Sequence, residues 1–159
     1  MRKIRSRKAV SPVIATVILV AVAITVAVAV AYWMGGISSQ YTQFEKCEVQ
    51  TAIVTPDGNG NWIVTVKIKN SGSKASTLTN LFVNDVEVSA YGAVAPVGAV
   101  DTITTDMTIV TPFTITSGAD STLIVWIGAN YGTLSPGTTV NIKMHSAGGM
   151  DYIKLVQLV

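Results

Sequence analysis

Residues able to do chemistry are few in this chain of 159 residues. His145 is the single histidine, which removes any multi-histidine metal centre and leaves one acid–base residue for a triad. It is read as a strand residue with no catalytic task. The single cysteine, Cys47, excludes an intrachain disulfide framework and a cysteine metal site. It is read as a small buried residue, with a free thiol or an intersubunit bridge as alternatives. Asp57-Gly58-Asn59-Gly60-Asn61 copies the opening of a calcium loop, but the sixth position is Trp62 instead of Gly and the twelfth is Ile68 instead of Glu. A hairpin turn is expected there. Gly58 and Gly60 are followed by strand sequence, not by a helix, so they make no phosphate cradle. With no constellation of nucleophile, base and metal, no catalytic residue, metal site or cofactor is assigned, and the chain is not read as an enzyme.

The elements around these residues are marked out by charge. Lys plus Arg number 11 and Asp plus Glu 9, a net charge of +2 that is too weak to suggest a nucleic-acid partner. Five of the basic residues, Arg2, Lys3, Arg5, Arg7 and Lys8, lie in the first eight positions, and no charged residue follows until Glu45. Within that gap Val10 to Ala31 contains eight Val, three Ile, one Leu and six Ala. As a helix of about 20 residues it is long enough to cross a hydrocarbon core of about 30 Å. Its twelve large aliphatics contribute roughly −4 to −7 kcal/mol on an insertion scale, enough to carry Ser11, Thr16 and Thr25. β-Branched residues predominate, which in water favours strand, but lipid requires every backbone group to bond within the segment and so decides for helix. Ser11 and Pro12 read as N-cap and first helical residue. Tyr32 and Trp33 fall where an aromatic belt meets the outer interface, and the basic cluster stays on the cytoplasmic side.

Three readings of this N-terminus compete. A cleaved secretory signal has a shorter apolar region and a small-residue cleavage site beyond it, whereas this one runs to about Met34. A permanent single-pass anchor fits the hydropathy. The third reading comes from Arg7-Lys8-Ala9-Val10-Ser11-Pro12-Val13-Ile14 and the aliphatic stretch that follows, which resemble the N-terminus of archaeal type IV pilins, members of the archaellin and pilin superfamily with class III signal peptides. The resemblance covers Arg7 to about Gly36 closely and the remainder in architecture. It implies that a prepilin peptidase cuts after Lys8 and Ala9, so that Val10 begins the mature chain. It also implies that pilus assembly machinery handles the product. The Ser-Pro opening is more similar to adhesion-type pilins than to motility archaellins. The glutamate at the fifth mature position of bacterial type IV pilins is Ile14 here, so registration by that charge does not carry over.

Along the segment Ala15, Leu19, Ala23, Ala27, Ala31 and Gly35 recur at spacing four, a row of mostly small residues that lets helices approach closely. Lipid and a helix bundle are similarly apolar, so a subunit stored in the membrane can move into a fibre core at little hydrophobic cost. Past Gly36 the composition turns polar, with Ile37, Tyr41 and Phe44 spaced to continue the helix from Pro12 to about Phe44, flexed at Gly35-Gly36. The remainder reads as seven or eight short strands. Val49, Thr51, Ile53 and Thr55 alternate, as do Trp62, Val64, Val66 and Ile68; a hairpin turns at Asn84-Asp85; strands follow at 109–116, 122–127, from Val140 and at 152–159. The fold class is α+β, a long hydrophobic N-terminal helix followed by an antiparallel β-sandwich, and the resemblance implies that the sandwich is immunoglobulin-like. The expected domains are a basic leader at 1–9, the hydrophobic helix at 10–46 and an extracellular sandwich at 47–159.

Ser and Thr number 31, and no Asn-X-Ser/Thr sequon occurs, which leaves O-glycosylation or plain strand-surface threonine as readings of the uncharged exterior. Loss of residues 1–9 would leave six Lys plus Arg against nine Asp plus Glu, a side-chain charge of −3. The function expected is a structural subunit that polymerises with itself through the helix into a surface filament used for adhesion, after a stage in the cell membrane. The alternative is a membrane-anchored extracellular ligand-binding or surface protein that stays monomeric.

Overall fold

The computed structural model describes residues 11–159. Helix α1 spans Pro12–Tyr41. Ser11 holds the N-cap position with extended backbone, φ −53° and ψ 133°, but its hydroxyl makes no capping bond. Its carbonyl instead accepts from Ile14 and Ala15 at 2.9 and 3.1 Å. Pro12 sits at the first helical position, where a missing N–H costs nothing and φ is already helical. The hydroxyls of Thr16 and Thr25 donate to the carbonyls of Val13 and Ala21, at 2.8 and 2.7 Å, and so need no outside partner. The helix passes unbroken through Gly35 and Gly36. It ends at Tyr41, short of the expected Phe44, with the Thr42 N–H closing on Ser38. The reason lies in competition for Phe44, whose carbonyl accepts from Ser73 and Lys74 and whose N–H donates to the Ser73 hydroxyl at 3.0 Å.

The chain divides into two compact units, one ending at Thr42 and one beginning at Gln43. The second unit is built from β1 (Cys47–Pro56), β2 (Trp62–Asn70), β3 (Ser76–Val83), β4 (Val86–Glu87), β5 (Ile103–Thr105), β6 (Phe113–Ile115), β7 (Asp120–Ile127), β8 (Thr139–Ser146) and β9 (Asp151–Gln157). One sheet has the order β1-β2-β7-β5; the other has β4-β3-β8-β9, with β6 paired to the start of β3. Every ladder between named strands is antiparallel. The fold class is therefore α+β, a long apolar helix followed by antiparallel sheets.

Period-two burial supplies the core. Val64, Val66 and Ile68 of β2 and Leu123, Val125 and Ile127 of β7 are fully buried, as are Leu81 and Val83 of β3 and Val140, Ile142 and Met144 of β8. The β3–β4 hairpin turns at Asn84 and Asp85, both at positive φ (50° and 64°), which asparagine and aspartate tolerate best among side-chain-bearing residues.

Three details differ from the sequence reading. In β1 a register shift between Val49 and Thr51 exchanges the faces of the strand. Val49, Ala52 and Val54 pack on the core, while Ile53 is 58% exposed. The strand expected at 109–116 is confined to Phe113–Ile115, because Thr108 closes a turn onto the Thr111 carbonyl at 2.7 Å and Pro112 has no N–H to donate. Ile103–Thr105, which is not among the expected strands, forms the edge strand β5.

Candidate functional site

The feature that stands out among the described residues is the surface of α1. None of its residues is buried, and its aliphatics stand open on every side, Val13 at 68%, Leu19 at 70%, Val22 at 56% and Val28 at 63% exposure. At a rise of about 1.5 Å per residue, Pro12 to Ala31 covers about 30 Å, and the helix is long and apolar enough to cross a membrane. An amphipathic surface helix keeps one polar side, which this one lacks. Each large aliphatic left in water forgoes roughly 1.5–3 kcal/mol of burial, so lipid or other helices must cover this surface.

Ala15, Leu19, Ala23, Ala27, Ala31 and Gly35 all lie on α1. Each step of four turns about 40° around the axis, so Ala23 to Gly35 winds across about 120° of the surface as a shallow oblique row. A shallow groove lined by Ala15, Ile18, Leu19, Val22 and Ala23 opens at the start of it. A Cβ at Gly35 or Gly36 would meet no atom within 4 Å, so nothing in the described chain requires glycine there. Tyr32 and Trp33, 87% and 66% exposed, follow directly on the aliphatic run. The cleavage residues Lys8, Ala9 and Val10 lie outside the described residues.

The sandwich carries ordinary structural chemistry. His145 lies on β8 with Nδ1 2.5 Å from the Asp151 carboxylate, both side chains well exposed. Cys47 is a buried free thiol, 6% exposed. Among the described residues no three His, Cys, Asp or Glu side chains cluster in a way that could hold a metal ion. The Asp57 loop is the expected β1–β2 turn. Burial pushes the Asp57 carboxyl up, but hydrogen bonds from Asn61 and from the Asn59 and Asn61 N–H groups outweigh it and hold the carboxyl below its usual range.

Two buried asparagines and a tyrosine do work that sequence pattern did not single out. Asn61, fully buried, donates to the Asp57 carboxylate and the Gly98 carbonyl at 2.7 and 2.8 Å and accepts from the Val100 and Ala129 N–H groups at 3.1 and 3.0 Å, tying three loops together. Asn70 donates to the carbonyls of Lys74 and Ile115, both at 2.8 Å, and accepts from Gly72 N–H at 2.9 Å. The Tyr91 hydroxyl accepts from Leu81 N–H at 3.0 Å and donates to Glu87 at 2.8 Å; burial, reinforced by the neighbouring carboxylate, pushes it up to about 12. A polar residue directly abutting a strand of strict alternation was the available signal for Asn61, which precedes Trp62, and for Asn70, which follows Lys69.

No protein-family model matches the chain, and no curated protein matches it. Among solved structures, the archaellum periplasmic stator protein FlaG from Sulfolobus acidocaldarius is similar over 71% of this chain and 100% of its own, with 15% identity and a TM-score of 0.45. A complex of FlaF and FlaG, archaellum periplasmic stator proteins from the same organism, matches over 71% of this chain and 90% of the matched chain, with 15% identity and a TM-score of 0.41. The Iho670 flagellar-like filament matches over 93% of this chain and 98% of its own, with 17% identity and a TM-score of 0.39.

Proposed function

We propose that this chain is a structural subunit of an archaeal type IV pilus-like surface filament that serves adhesion, with α1 polymerising into the fibre core and the sandwich facing outward. The observation that carries the reading is an aliphatic surface open on every side of α1, attached to a sandwich that has its own buried core. The second unit encloses its own core, whereas no residue of α1 is buried, and so large an aliphatic surface calls for lipid or further helices. The motif from Arg7 to Ile14 supports processing by a prepilin peptidase between Ala9 and Val10, which gives domains of 1–9 as leader, 10–46 as helix and 47–159 as extracellular sandwich. The partners are further copies of the chain, the peptidase, the assembly machinery and, before assembly, the cell membrane. No enzymatic activity is assigned.

Transfer from bilayer to bundle exchanges one apolar surrounding for another, so packing among small residues decides the balance. A second reading, a permanently anchored monomer that binds a ligand or acts at the surface, is favoured by Tyr32 and Trp33 at the end of the aliphatic run, where an anchor places its belt. N-terminal sequencing of surface material separates the two. A fibre-forming chain that begins at Val10 supports the first; an intact N-terminus on a detergent-soluble monomer overturns it.

A further inference from the structure

The three residues before β1 are held by two backbone carbonyls and one carboxylate. The Phe44 carbonyl accepts from Ser73 and Lys74 N–H at 3.0 and 3.2 Å, and the Lys46 carbonyl accepts from Ser71 and Gly72 N–H at 2.8 and 3.1 Å. Between them the half-buried Glu45 carboxylate accepts from the Ser76 hydroxyl and, at 3.4 Å, from Tyr152. The Phe44 ring contributes little, being 53% exposed. Two glycines make room for the segment. A Cβ at Gly72 would lie 2.6 Å from both Lys46 N and Phe44 O, and one at Gly148 would overlap the Glu45 carboxylate. Neither glycine has positive φ, so close approach of this segment, and not backbone conformation, accounts for both.

We propose that Phe44–Lys46 is a clasp that delivers tension arriving from the helix to both sheets before it reaches β1. The 71–75 loop joins β2 of one sheet to β3 of the other, Ser76 begins β3, Tyr152 lies on β9, and Gly148 lies in the β8–β9 turn. Without the clasp, tension would fall on Cys47, the first residue of an edge strand whose only ladder partner among the described residues is β2. The clasp serves a bilayer anchor and a fibre core equally, so it does not depend on the polymerisation reading.

The test holds the full chain by its helix in a lipid nanodisc and pulls at constant force through a peptide tag inserted at Asn59, so that the load crosses the clasp and then β1. Release of residues 43–59 frees about 55 Å of chain, of which the extended ten-residue β1 already spans about 30 Å, so the tether lengthens by about 25 Å, which identifies the event. Glu45→Ala and the milder Ser73→Ala are expected to shorten the lifetime under force at least tenfold. Lys46→Ala, which removes only the exposed pair with Glu48 and keeps the backbone bonds, is expected to match the parent. Without force, a thiol reagent should modify Cys47 faster in Glu45→Ala than in the parent. Parental lifetimes in both Glu45→Ala and Ser73→Ala, with circular dichroism unchanged, would overturn the proposal.

Discussion

Replacing Ala27 and Ala31 together by leucine separates polymerisation from anchoring. Both alanines are exposed on α1, and none of that helix is buried, so the added methylenes require no repacking within the helix. Monomer stability should not change. Membrane insertion should improve slightly, by about 0.3–0.6 kcal/mol for each leucine. In a bundle that uses the small-residue row, the same side chains overpack the contact, at about 1–3 kcal/mol per subunit. Since 1.4 kcal/mol is a factor of ten, assembly should need roughly 5- to 150-fold more subunit. The paired control is Val26→Leu with Val30→Leu, which leaves the small row intact. The assay is the pelletable fraction of surface protein against total membrane-inserted protein. Unchanged fibre yield in Ala27→Leu/Ala31→Leu, with insertion normal, would refute close packing along this row.

Four further outcomes are expected. Asn61→Ala strands the part-buried N–H groups of Val100 and Ala129 and the Gly98 carbonyl, and should cost up to about 3 kcal/mol in denaturant unfolding. That is a large part of the 5–15 kcal/mol typical of a domain. Because the Asp57 carboxyl is held below its usual 3.8, it adds stability above that value which is lost as pH falls through the lower folded value; Asp57→Asn should flatten acid unfolding in that range. Tyr91 keeps its proton up to about 12 when folded against 10 when unfolded, so its contribution is complete below pH 10 and is lost as pH rises toward 12; the difference in stability between the parent and Tyr91→Phe should shrink across that window. Replacing Ala9 with Trp should leave unprocessed precursor in the membrane, read by immunoblot mobility.

Hydropathy and alternation made most of the fold legible, because each reports burial directly. The uncharged run after Lys8 marked α1, and the alternation from Trp62 to Ile68 marked β2. What escaped depended on contacts distant in sequence. Phe44 keeps helical spacing with Ile37 and Tyr41, yet its backbone is claimed by Ser73 and Lys74, which local periodicity cannot register. The face exchange in β1 turns on one extra residue near Gln50, invisible in an alternating pattern. β5 is three residues long, and two of them are threonines, of which Thr105 is buried by its place beside β7 and Thr104 is half-buried. For the helix surface, residue types named the small row, and the helix buries none of it.

Helical reconstruction by electron cryo-microscopy of fibres sheared from the cell surface tests the central claim most directly. A core of packed helices that accommodates Pro12–Tyr41, surrounded by sandwiches and with the chain traced from Val10, is the expected result. Fibres whose core holds no such helix, or sheared material without fibres while the intact chain remains a monomer in detergent, would contradict it.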